Sequence, residues 1–279
     1  MEKTTNTAKP FLKWAGGKRQ LIDRLKPLFP KDIENYYEPF LGGGAVFFNM
    51  DTPVAHLNDL NEDLILTYKA VRDNVEALIQ EVQKYPTDKE TYYAIRELDR
   101  DPDKFKQLSD AQRAARLIYL NKLCYSGLFR VNARNEFNVA YAGYKNPTII
   151  NEEEIRKASE YMNTVDVHFY NEHYDTFLEN VEPGSFVFLN PPHEPRAIAE
   201  NYTTYYHEGF SSEEQKQVKE CCDMLNEKGV KFLLLNNPTQ NILTLYKEYK
   251  PKLIQTRNYI NGKGCNKRSV YEAFVRNYE

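Results

Sequence analysis

Four consecutive residues, Asn190-Pro191-Pro192-His193, carry the clearest chemistry in this chain, directly after the apolar run Phe186 to Leu189. Proline has no N–H and a fixed φ, so a strand ending in a polar residue and two prolines leaves rigid carbonyls that can grip an amine. A strand merely stopped by a proline turn is the alternative reading of the same residues. A second cluster is Gly42-Gly43-Gly44, after a short apolar strand, with Asp59 at the end of the next strand. Glycines there let backbone approach a ligand closely, a following helix N-terminus adds partial positive charge, and the acid can accept two hydrogen bonds from a ribose diol. A flexible turn is the plainer use of three glycines. No Gly-x-x-x-x-Gly-Lys-Ser/Thr motif is present, which disfavours a nucleoside triphosphate.

The elements that must position these residues follow from hydrophobic periodicity. A loop from Lys9 to Lys18 leads into a helix expected over about Arg19 to Leu28. Tyr36 to Phe40 reads as a strand, Ala45 to Met50 as a helix, Val54 to Leu57 as a strand and Glu62 to Val71 as a helix, the start of an open α/β sheet. Residues 75 to about 122 read as helices that do not alternate with strands, followed by a polar loop or hairpin from Tyr125 to Lys145, so this block is expected to be an insert. Alternation resumes with strands at Val165 to Tyr170 and Phe186 to Leu189, a helix from Ser212 to Asn226 and a strand from Val230 to Leu235. Ser211 or Ser212 before Glu213-Glu214 supplies an N-cap and an acidic first turn. Lys252 to Tyr259 and Tyr271 to Asn277 read as a closing β-hairpin. The expected fold is α/β, a doubly wound Rossmann-like domain with a mainly helical insert, divided as 1–70, 71–147 and 148–279.

With 279 residues the chain can bury a sizeable core, and 41% hydrophobic and 28% charged residues are ordinary for a globular protein. A formal charge of −3 gives no global sign of nucleic-acid binding, so any such surface must be local. Two segments qualify. Arg113, Arg116, Lys122, Arg130, Arg134 and Lys145 face Glu136 alone, and Arg257, Lys263, Lys267, Arg268 and Arg276 face Glu272 alone. A solvated charged face explains either segment equally well. Cys124, Cys221, Cys222 and Cys265 lack metal-ligand spacing, which points to reduced thiols in a cytoplasmic protein. No apolar run is long enough for a membrane span.

The order of these pieces resembles a known family. Phe11-Leu12-Lys13-Trp14-Ala15-Gly16-Gly17-Lys18, Glu38-Pro39-Phe40-Leu41-Gly42-Gly43-Gly44, Asn58-Asp59-Leu60-Asn61, an insert and then Asn-Pro-Pro-His are similar to the Dam-type (D12 class, alpha group) DNA adenine N6-methyltransferases. The resemblance runs over nearly the whole chain. It implies S-adenosylmethionine as methyl donor and N6 of adenine in double-stranded DNA as acceptor, with GATC as the expected site and base flipping as the route. It places Lys13, Trp14, Ala15, Gly16, Gly17, Lys18, Glu38, Phe40, Gly42, Gly44, Asp59, His173 and Tyr174 at the cofactor, and Asn190, Pro191, Pro192 and His193 at the reacting amine. Tyr125, Ser126, Leu128, Arg130, Asn132, Arg134 and Lys145 match the family's DNA-recognition loop. Arginine suits Arg130 because its fork can bond guanine O6 and N7 together. Tyr125 can fill the stack that the target base leaves, and Arg134 and Lys145 can sit on phosphates. Ser126 stands where the family commonly has asparagine. A bacterial or phage-encoded cytoplasmic protein, as a monomer or weak dimer, is the expected setting, with a cognate restriction endonuclease as one candidate partner; restriction protection, mismatch marking and phage biology stay open as roles.

Two letters depart from the family's Asp-Pro-Pro-Tyr. Asn190 can still accept a hydrogen bond, but it lacks the charge that stabilises a developing cation. His193 is smaller than tyrosine and ionises near neutral pH, so stacking on a base should be weaker. The alternatives left open are a DNA-binding paralogue with impaired catalysis, or a methyltransferase with cytosine N4 or RNA as acceptor.

Overall fold

The structure, a computed structural model, describes residues 7–194, 210–257 and 269–279. Lys263, Cys265, Lys267 and Arg268, with the tip of the expected closing hairpin, lie outside them. The elements run α1 (Ile22–Leu25), β1 (Asn35–Glu38), β2 (Val54–Asn58), α2 (Glu62–Gln83), α3 (Lys89–Arg96), α4 (Pro102–Lys106), α5 (Asp110–Leu123), α6 (Glu152–Thr164), β3 (Asp166–Tyr170), α7 (Tyr174–Glu179), β4 (Phe186–Leu189), α8 (Ser212–Glu227), β5 (Lys231–Asn236), α9 (Gln240–Leu245), β6 (Lys252–Arg257) and β7 (Ser269–Arg276).

The seven strands form one sheet in the order β3-β2-β1-β4-β5-β7-β6. All neighbours are parallel except β7, which runs antiparallel to β5 and β6. Each face of the sheet has its own core. Tyr36, Phe186, Phe188, Leu233 and Leu235 pack on one side, while Tyr37, Val187, Leu189, Phe232 and Leu234 pack on the other. Burial on both faces is why β4 reads as an unbroken apolar run rather than an alternating one. This is the doubly wound arrangement expected.

Chain order reverses between β1 and β4: from β1 the sheet grows outward to β2 and β3, and from β4 it grows the other way. Open α/β sheets bind ligands in the crevice at such a switch point, at the carboxyl ends of the strands. Glu38 ends β1 and Asn190 follows β4, so the fold brings both sequence clusters to this crevice.

The insert is mainly helical, as expected. Tyr92, Tyr119, Leu120, Leu123, Cys124, Phe137 and Val139 form a third, smaller core between α3, α5 and the segment after α5. That segment is a loose hairpin with antiparallel bridges Cys124–Tyr141 and Val131–Phe137. α5 belongs to two cores at once, since Ala114, Ala115, Leu117 and Ile118 join the main core with Leu78, Ile79 and Val82 of α2.

Several local expectations need correction. Ala45 to Met50 is not an α-helix: only a single 3-10 turn, Phe47–Asn49, forms there. Residues 45–53 must return the chain to the start of β2 while burying Val46, Phe47, Phe48 and Met50, which leaves no length for a helix. The helix N-terminus beside Asp59 is that of α2, capped by Asn61. The first helix is only four residues long because Pro27 supplies no N–H, and a 3-10 turn takes over. α2 runs on to Gln83 across non-helical Asn74 (φ −153°, ψ 59°). α6, α7 and α9 were not expected from the sequence. α8 does take Ser211 as its N-cap, with Glu214 closing a reciprocal capping box. No described helix is long and apolar enough to cross a membrane.

Candidate active site

A cavity of about 340 Å³ opens at the switch point. Trp14, Ala15, Gly16, Gly17, Lys18, Glu38, Phe40, Gly42, Asp59, His173, Tyr174, Asn190, Pro191, Pro192 and His193 all line it, although they come from separate stretches of the chain. Lys13 and Gly44, also expected at the cofactor, do not. Gly44 has φ +66° and no room for a Cβ, which would lie 2.7 Å from the Tyr68 hydroxyl. The exposed Lys13 side chain lies over the Tyr144 ring, 5.5 Å from its centroid.

One wall is a polar cradle built on the ends of β1, β2 and β3. The Asp59 carboxylate accepts from the Gly42 N–H (2.9 Å) and the Asn61 N–H (3.0 Å). Gly42, at φ +49°, must be glycine, since a Cβ would meet Trp14 Cδ1 at 2.8 Å. Asn58, fully buried, donates to the carbonyls of Pro39 and Glu172 and accepts from the Glu172 N–H. One side chain therefore staples the three strand ends together. Tyr36 donates to Glu38 Oε2 (2.7 Å), yet burial pushes the Glu38 carboxyl up to about 8. At neutral pH Glu38 is mostly protonated until a cation favours its charged form.

Part of the lining is aromatic. Phe40 lies 5.1 Å from Tyr174 and 6.3 Å from Phe210, ring centre to ring centre. Phe210, Glu214 and Asn237 line the cavity without having been expected to. A signal for Asn237 was present: β5 ends in Asn236-Asn237-Pro238, the same strand, asparagine and proline order that ends β4.

Around the proline motif, Asn190 Nδ2 points to the Gly16 carbonyl at 3.4 Å and Oδ1 lies 3.2 Å from His193 Nε2. The buried Lys18 Nζ lies 3.3 Å from the same His193 nitrogen and 3.0 Å from Glu272 Oε2 on β7. A lone pair on Nε2 accepts from Lys18, whereas an N–H there donates to Asn190. One tautomer satisfies one neighbour only, so His193 is held by competing contacts rather than by a single strong one.

None of the residues expected in the recognition loop lines the cavity. Tyr125 is 64% exposed, enough for its ring to insert elsewhere. Ser126 adopts φ +57° and donates its N–H to the Tyr144 hydroxyl (3.2 Å). Leu128 is half-buried, while Arg130, Arg134 and Lys145 are exposed. Arg130 Nε donates to Asn138 Oδ1 at 2.7 Å. Asn132 is the exception in orientation, its amide being engaged by Glu136 and by the N–H groups of Arg134 and Glu136. Asn121, fully buried, bonds both the N–H and the carbonyl of Lys13 and also the Gly127 carbonyl. Trp14 stacks on Phe129, 5.3 Å apart. The loop that lines the cavity is thus fastened to the insert.

Residues 14–260 match the family described as D12 class N6 adenine-specific DNA methyltransferase. The chain is 35% identical to the Type II methyltransferase M1.LlaDCHI of Lactococcus lactis subsp. cremoris, an alignment covering 100% of this chain and 98% of that protein. It is 34% identical to the Type II methyltransferase M.MjaIII of Methanocaldococcus jannaschii, covering 97% and 99%. It is 33% identical to the DNA adenine methylase of Escherichia coli K12, covering 94% and 92%.

Proposed function

Since the chain belongs to the D12 class N6 adenine-specific DNA methyltransferases, we propose that it moves a methyl group from S-adenosylmethionine to N6 of an adenine flipped out of duplex DNA at GATC, with Asn190-Pro191-Pro192-His193 as its catalytic motif. The observation that carries this reading is the shared cavity: the Asp59 cradle from β1 and β2 and the proline motif from β4 face one space.

The lining suits the cofactor. The Asp59 carboxylate fits a ribose diol, the Phe40, Tyr174 and Phe210 rings fit a purine, and Glu38 can ionise opposite a positive group. Trp14 to Lys18 close over the methionine end. When bound, the cofactor supplies an electrophilic methyl group on a sulfonium.

The protein's own part is to hold the amine. Asn190 Oδ1 accepts one N6 hydrogen and the Pro191 carbonyl the other, which turns the nitrogen lone pair toward the methyl. His193 must first give up its contact with Asn190, and its ring then lies against the base. A neutral amide cannot take the proton that N6 loses, so that proton passes to His193 or to solvent. Its engagement with Asn190 also supports a second reading, a DNA-binding relative with impaired transfer.

In the insert, Tyr125 fills the vacated stack, Arg130 reads guanine, Ser126 and Leu128 touch base edges, and Asn132, Arg134 and Lys145 hold the backbone near phosphates. Residues 71–147 serve as the target-recognition domain, with 1–70 and 148–279 as the catalytic domain. The Type II names of two relatives support a role in protective methylation beside a restriction endonuclease, and the setting we propose is the cytoplasm, with the protein a monomer or weak dimer.

Radiolabelled methyl transfer to duplexes with GATC, with adenine outside GATC and with cytosine only is the test. Label in the first alone is expected. Binding of cofactor and DNA without transfer would promote the second reading, and label in the cytosine duplex would overturn adenine as acceptor.

A further inference from the structure

Gln215 on α8 and Asn236 at the end of β5 are both 0% exposed, although each carries an amide that must find partners out of water. Their partners form a single chain of bonds that ends on the proline motif. Asn236 Oδ1 accepts two backbone N–H groups, from Glu194 (3.2 Å) and Asn237 (2.8 Å). Two N–H donors can meet only an oxygen, so this amide has one allowed orientation. Its Nδ2 then donates to Gln215 Oε1 (2.8 Å), which in turn directs Gln215 Nε2 to the Pro192 carbonyl (3.0 Å).

We infer that Gln215 and Asn236 form a buried amide relay that sets the peptide planes on both sides of His193 and thereby aims the Pro191 carbonyl at the target amine. Gln215 is a positioning residue for the reaction, and the inference rests on the methyl transfer proposed above. Prolines offer no N–H by which a neighbouring strand could hold this segment, so its carbonyls have to be gripped from outside. The relay grips the Pro192 carbonyl from α8 and the Glu194 N–H from β5. Beyond it, Asn237 Nδ2 donates to the Glu194 carbonyl (2.6 Å), and Thr239 and Asn241 donate to the Glu194 carboxylate. The same helix begins beside Phe210 and Glu214 in the cavity wall, so one rigid element holds both the cavity and the motif.

Gln215→Leu keeps the bulk and removes the relay. Single-turnover and steady-state transfer to unmethylated duplex DNA should show kcat about 10- to 100-fold lower, the scale expected when a reacting group is displaced by roughly 1 Å. KM for DNA and the cofactor Kd should stay within about twofold of wild type. Because the single change leaves the Asn236 Nδ2 unmatched, Gln215→Leu/Asn236→Leu serves as the second variant; it removes both amides of the relay and also frees the Glu194 and Asn237 N–H groups. Gln215→Glu, whose protonated carboxyl donates and accepts in the same places, should transfer faster than Gln215→Leu, and its rate relative to the wild type at the same pH should rise as pH falls. Either leucine variant transferring within about twofold of the wild-type rate would overturn the relay, as would a loss confined to KM or to cofactor binding. Absence of transfer by the wild type would instead count against the proposed reaction.

Discussion

Replacing Glu38 by glutamine should remove a pH dependence that burial builds into the fold. Glu38 is 2% exposed, and burial lifts its carboxyl from 4.5 to about 8, with the Tyr36 hydrogen bond opposing the rise and Asp59 adding to it. The sign follows from proton counting. Between pH 4.5 and 8 the unfolded chain has released this proton while the folded chain keeps it, so stability falls as pH rises through that window and levels off above it. The slope is at most about 1.4 kcal/mol per pH unit, which over the window sums to about 5 kcal/mol as an upper limit. Glutamine carries no titrating proton and keeps an oxygen for the Tyr36 hydroxyl. Urea unfolding of both proteins at a series of pH values reads the difference directly. Glu38→Gln should gain on the wild type by about 1 kcal/mol for each unit of pH through the window. A difference that stays constant across the series would refute the reasoning. The wild type should also release a proton on binding the cationic cofactor near pH 7, detectable as a buffer-dependent binding enthalpy, and the variant should not.

Asn190→Asp with His193→Tyr restores a charge and a larger ring, and should raise the single-turnover rate by about 100-fold, the scale of one electrostatic contact at a reacting centre; no gain would count against the roles given to these two residues. Arg130→Ala should flatten base preference, whereas Lys145→Ala should weaken binding to all sequences alike and lower the salt slope by about one unit, as titrations at several salt concentrations will read. Arg116 is 4% exposed, lies 2.7 Å from Asp99 and donates to the carbonyls of Ile95 and Arg96. Arg116→Met should therefore destabilise the insert by about 3 to 5 kcal/mol, seen as early loss of hydrogen-exchange protection in α3 and α5 while the sheet stays protected.

The sheet was legible because burial on both faces writes continuous apolar runs, as in Phe186 to Leu189, and because Gly229 and the Ser211-Glu214 capping box punctuate α8. The short elements were not. α7 and α9 have six residues each, too few for a helical period to stand out, and they are fixed by packing on the sheet. The stretch Ala45 to Met50 looked helical because apolar residues crowd it, yet the distance back to β2 decided its shape. Most cavity residues were legible from motif order alone, since the motifs that carry Glu38, Asp59 and Asn190 each end a strand and the Trp14 to Lys18 loop precedes the first helix. Gln215 was not, because a glutamine on an amphipathic helix carries no mark of the proline carbonyl that it meets across the fold.

The most direct test of the amine-holding role of Asn190 is a crystal structure of the protein with a non-reactive S-adenosylmethionine analogue and a GATC duplex. The expected result is an extruded adenine whose N6 lies about 2.7 to 3.2 Å from both Asn190 Oδ1 and the Pro191 carbonyl, with His193 turned away from Asn190. Both ligands bound, with no base near Asn190, would contradict it.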